Sequence, residues 1–78
     1  MTLRELKHKQ PARVIGFQSL EHDLEIRLRE IGFAEGDRVE LMHWGLFGRN
    51  PITVKLNGTL IAMRKNEAAA VTIELETV

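Results

Sequence analysis

Asn57-Gly58, set between two stretches that alternate apolar and polar residues, constrains this chain more than any other feature. Both central residues of a type I′ turn need positive φ, which Asn and Gly tolerate and branched residues do not. The pair therefore joins two antiparallel strands through a two-residue hairpin. Such a turn sets Leu56 opposite Thr59, Val54 opposite Ile61 and Ile52 opposite Met63. The apolar members share one face, and a slip of one residue would turn all of them outward, so the register fixes itself. The chain must hold a sheet with one buried side.

The rest of the sequence supplies what that side packs against. Leu20, Leu24, Leu28 and Ile31 recur at helical spacing and predict one apolar face. Ser19 stands as N-cap, Glu21 and Asp23 fall in the first turn, and Arg27 and Arg29 lie towards the far end, each where the helix dipole favours its charge. Gly32 follows as the positive-φ residue past the end, and Phe33 is then placed to fold back onto Leu28. Ala34 to Asp37 reads as a turn with Gly36 at its positive-φ position. Period-2 alternation predicts strands over 12–17, with Gly16 as a bend or bulge, and over 38–43, 52–56, 59–63 and 71–75. Lys65-Asn66-Glu67-Ala68 breaks the alternation and reads as a single helical turn. Thr2-Leu3-Arg4-Glu5 has capping-box spacing, and Leu3 and Leu6 give that opening turn one side to lay on the core as a lid. Short strands around a hairpin, with a helix inserted after the first strand, predict one domain over 1–78. Its class is mainly β with a little α, an SH3-like, five-stranded, partly open barrel.

Composition narrows the function classes. Eleven Lys and Arg balance eleven Asp and Glu, so the basic excess of a nucleic-acid binder is missing. Three Phe and one Trp are too few for a base-stacking platform. With no cysteine the chain has no disulfides and no thiolate ligands. No apolar run is long enough to span a bilayer, which sets the expectation of a cytoplasmic protein with no direct membrane insertion. No catalytic motif is present, and the single serine, Ser19, is used by the cap, so the reading is of a non-enzyme.

Two groups of residues are candidates for binding. His22 and Glu25 are neighbours at i and i+3 on the helix and suit a weak divalent cation such as Fe²⁺, with the solvated face of an amphipathic helix as the plainer reading. His8 and His43 share no spacing with them. The second group is Trp44, Leu46, Phe47, Gly48 and Pro51, read as a loop over 44–51 that carries large apolar side chains where loops are usually polar. Some of these are expected to close one end of the barrel and others to anchor a partner, Phe47 first among them. Arg64 follows the hairpin and suits an anionic group on that partner.

The ordered set Leu28-Arg29-Glu30-Ile31-Gly32-Phe33, Gly36-Asp37-Arg38-Val39-Glu40-Leu41, Phe47-Gly48, Pro51-Ile52, Val54, Gly58, Ala62-Met63-Arg64 and Glu67-Ala68 resembles the FeoA family, small accessory proteins of bacterial ferrous-iron transport. Leu46 stands where that family often has a proline before Phe-Gly. The resemblance implies an SH3-like barrel, and as partner the cytoplasmic side of the FeoB-type transporter, which also carries a GTP-binding domain. It implies action by protein–protein contact and no resident cofactor. The alternatives are an Fe(II) carrier or sensor, and an SH3-like peptide-binding module akin to the C-terminal domain of iron-dependent repressors.

Overall fold

The computed structural model of the chain describes residues 1–18, 22–45 and 49–76. A 3-10 turn, Leu3–Glu5, precedes β1 (Pro11–Phe17), α1 (His22–Ile31), β2 (Arg38–Gly45), β3 (Arg49–Leu56), β4 (Thr59–Met63), α2 (Lys65–Ala68) and β5 (Val71–Leu75). The strands form one antiparallel sheet in the order β4-β3-β2-β1-β5. This is the expected mainly β, SH3-like architecture, with the helix inserted between the first two strands of the chain.

The hairpin has the register its turn dictates: Leu56 faces Thr59, Val54 faces Ile61 and Ile52 faces Met63. Asn57 and Gly58 take φ of 47° and 89°, as a type I′ turn requires. Asn57 also ties β2 to the turn, since its N–H donates to the Arg38 carbonyl at 3.1 Å and its side-chain oxygen accepts from the Arg38 N–H at 3.3 Å. The bulge expected at Gly16 is present, where the β1–β5 register shifts between Val14 and Gly16.

The buried face of the sheet carries Ala12, Val14, Val39, Leu41, Ile52, Val54, Leu56, Met63, Val71 and Ile73. Leu28 and Phe33 cover it from the helix side, and Leu3 and Leu6, each 1% exposed, close it as the lid predicted. The helix ends as its sequence demands. The Phe33 N–H donates to the Leu28 carbonyl at 3.1 Å and the Gly32 N–H to the Arg29 carbonyl at 3.1 Å, the paired bonds of a Schellman motif.

Two expectations need correction. Ile31, expected on the buried helix face, is 43% exposed. Phe33, turned back after Gly32, is buried in its stead at 1% exposure, so among the described residues the face reduces to Leu28 and the half-buried Leu24. The loop expected over 44–51 is mostly strand, because β2 runs on through Trp44 and Gly45 and β3 begins at Arg49. Register shifts between Leu41 and His43 and between Trp44 and Gly45 interrupt the side-chain alternation while the ladder continues, so the period-2 signal fails where the strands do not. Ser19, Leu20 and Glu21 lie outside the described residues.

Candidate docking site

One concave surface near the expected site lies between the end of α1, the start of β3, the end of β4 and α2. It is a groove of about 580 Å³ lined by Arg27, Ile31, Pro51, Met63, Arg64 and Glu67, with Ala62 at its side. Ile31 offers an exposed apolar side chain there for the reason just given, and Pro51 and Arg64 are exposed beside it.

Glu67 organises the groove. It is the one charged residue buried among the described residues, 8% exposed. One carboxylate oxygen accepts the Arg64 N–H at 2.7 Å, which caps α2, and the other accepts from the Arg27 guanidinium at 3.4 Å. A single carboxylate thus links both helices and fixes the backbone from which the Arg64 side chain leaves. The sequence reading assigned Glu67 no such role. The signal was present, since Arg64 to Glu67 repeats the three-residue spacing of Thr2 to Glu5, but it lacked the hydroxyl that marks a cap.

The structure divides the other candidates. Pro51 and Arg64 share the groove. Trp44 pairs across the ladder with Ile52, the neighbour of Pro51 that points to the opposite face of β3, and so belongs to a different surface. There it borders one recess with Arg4, Ile52 and Lys65 and another with His8, Leu41 and His43. Leu46, Phe47 and Gly48 lie outside the described residues. Gly45 is required where the two strands converge, because a Cβ on it would overlap the Asn50 carbonyl.

His22 opens the described part of α1 and is exposed, and Glu25 is half-buried one turn on. Among the described residues no group of three or more His, Cys, Asp or Glu side chains is placed to hold a metal ion. His8 and His43, unrelated by spacing, meet at one recess because the chain after the opening turn runs beside β2, with the Lys9 N–H bonded to the Leu41 carbonyl at 2.9 Å.

Two exposed carboxylates are tuned by their neighbours. Glu35 accepts two hydrogen bonds from Arg29, at 3.0 and 3.2 Å, and these hold its pKa below the ordinary value. The Arg29 guanidinium also lies 4.6 Å from the centre of the Phe17 ring, which ties the end of α1 to β1. Glu5 is lowered by the hydrogen bonds it accepts from the Thr2 N–H and hydroxyl.

Comparison with known proteins decides the family. The FeoA domain model matches residues 1–75. The chain belongs to the FeoA family. Among solved structures this FeoA chain is similar to Stenotrophomonas maltophilia FeoA, with 36% identity and a TM-score of 0.82 over 95% of this chain and 89% of that one. That protein is a zinc complex, described as an SH3-domain protein and a candidate activating factor for bacterial ferrous-iron transport. The Chlorobium tepidum FeoA protein is 31% identical with a TM-score of 0.84, over 99% of this chain and 71% of that one. The manganese regulator SloR, at 17% identity and a TM-score of 0.80, shares the fold. Among curated proteins no sequence match is found. FeoA proteins are accessory SH3-like proteins of iron transport, not a family of enzymes. No helix among the described residues is long and apolar enough to cross a membrane.

Proposed function

We propose that this FeoA chain supports ferrous-iron uptake by docking on the cytoplasmic side of a FeoB-type transporter. The observation that carries the reading is the groove beside the start of β3, where exposed Ile31, Pro51 and Arg64 surround a fixed Glu67–Arg27 pair. An apolar side chain of the partner would cover Ile31 and Pro51, and burying one such residue contributes about 1.5–3 kcal/mol. Arg64 adds a charge that selects an anionic neighbour. The contact is non-catalytic: it changes what the transporter's cytoplasmic domain can do by binding it in one state more tightly than in another.

An NMR titration of the labelled chain with the transporter's soluble cytoplasmic domain, with and without guanine nucleotide, tests this directly. Shifts at Ile31, Pro51 and Arg64 are expected, and Phe47→Ala should weaken binding while the chain stays folded. A flat titration, or undiminished affinity in that variant, would move the contact elsewhere. A second reading, in which His22 and Glu25 carry Fe(II), draws support from the zinc held by the S. maltophilia protein. A His22→Ala variant with unchanged Fe(II) affinity would end it.

A further inference from the structure

Trp44 is the chain's single tryptophan, and it is 42% exposed between two recesses. On one side Arg4, Ile52 and Lys65 line about 250 Å³ with it, and on the other His8, Leu41 and His43 line about 210 Å³. Ile52 and Leu41 are buried and give each recess an apolar floor. Among the described residues neither lining contains a carboxylate.

The chain as a whole is formally neutral, and its ion pairs are formed away from this surface. Among the described residues the ion pairs join Arg13 and Arg38 to Glu76, Arg27 to Glu67 and Arg29 to Glu35. No described carboxylate pairs with Arg4 or Lys65. Glu5, the acid next to Arg4, turns its carboxylate to Thr2 and lines neither recess. The surface around Trp44 is therefore positively charged with an apolar centre.

We propose that this surface binds an acidic, extended peptide segment of a partner protein. One apolar side chain of the segment lies against Trp44, and carboxylates flanking it meet Arg4 and Lys65. The inference goes beyond the transporter reading, because Trp44 lies on a different surface from the groove of Ile31, Pro51 and Arg64. Recesses of this size accept single side chains. A bilayer would instead call for a broad apolar face, and among the described residues Trp44 is the one exposed apolar side chain lining either recess. A proline-rich ligand is disfavoured, because the grooves that hold one are lined by several aromatics.

The test follows Trp44 fluorescence in the full chain titrated with a capped peptide of alternating glutamate and leucine. A lysine–leucine peptide and phosphatidylglycerol vesicles serve as competing probes. The acidic peptide is expected to give a saturable change that weakens roughly tenfold when salt is raised to about 0.5 M. Arg4→Glu and Lys65→Glu should each weaken it by roughly tenfold. Lys55→Glu, the same change of charge beside Arg38, Glu40 and Asn57, should alter it by less than about twofold. Equal binding of the lysine peptide, an equal loss in Lys55→Glu, or tighter binding to the vesicles would overturn the inference. If the acidic peptide leaves Trp44 unchanged while the transporter domain still shifts Pro51 and Arg64, the inference falls and the transporter reading stands. If the peptide binds and the domain does not, the reverse holds.

Discussion

Glu67 shows how much one side chain can settle in a small domain. Its carboxylate is buried, accepts a backbone N–H that has no partner within its own helix turn, and meets a guanidinium from another helix. Glu67→Ala would leave the Arg64 N–H unsatisfied, so it is expected to lower stability by about 1–3 kcal/mol in urea unfolding. Glu67→Gln keeps an acceptor and should lose less. Arg27→Ala should lose less again, because its side chain is 66% exposed and a solvated ion pair contributes little. A second residue-scale effect concerns pH. Glu35 and Glu5 have folded-state pKa values below the ordinary 4.5. A carboxylate lowered on folding adds stability that is in place above its unfolded pKa and lost as pH falls through the folded one. Stability should therefore decline as pH drops below 4.5, and urea midpoints measured across that range should decline less steeply in Glu35→Gln, which no longer titrates.

At the scale of elements, two glycines are needed for different reasons and should respond differently to alanine. Gly32 has φ of +127°, and the nearest atom to an added Cβ is a Leu56 methyl at 3.9 Å, so there is room but the backbone is strained. Gly32→Ala should cost about 1–2 kcal/mol with the fold unchanged. Gly45 has no such strain but does have the Asn50 carbonyl in the way, so Gly45→Ala should force β2 and β3 apart at their shared end. Backbone resonances from Trp44 to Pro51 would report it, and a spectrum unchanged there would refute the close approach. The same elements show why sequence reading succeeds and stops where it does. The Asn57-Gly58 hairpin, the helix stop at Gly32 and the turn at Gly36 depend on the chemistry of adjacent residues, and all were legible. The continuation of β2 through Trp44 was not, because bulges erase alternation without ending a ladder. The meeting of His8 with His43 was not legible either, since it depends on where the opening segment crosses β2. Of the candidate site, the pairing of Pro51 with Arg64 follows from the hairpin's register, whereas the role of Glu67 and the separate surface of Trp44 needed the folded chain.

For the molecule as a whole, the helix–sheet boundary separates residues that hold the fold from residues free for contact. Phe33 and Ile31 are two positions apart, yet one is 1% exposed and the other 43%. Phe33→Ala should lose about 3–5 kcal/mol of stability. Ile31→Arg should stay within about 0.5 kcal/mol of the parent yet weaken binding of the transporter domain. Unfolding curves and the NMR titration, run on the same pair of variants, separate the two effects. The opening residues have a consequence of another kind. Thr2 bridges to Thr72, the Ile73 N–H donates to the Met1 carbonyl at 2.9 Å, and Leu3 and Leu6 lie over the core. These few residues act as a gatekeeper for the outer side of β5, occupying hydrogen-bonding groups that would otherwise recruit another chain. A shortened protein lacking them would bare an unsatisfied strand and greasy interior side chains at one place. Its failing would be self-association into insoluble material, long before any simple loss of melting temperature was felt.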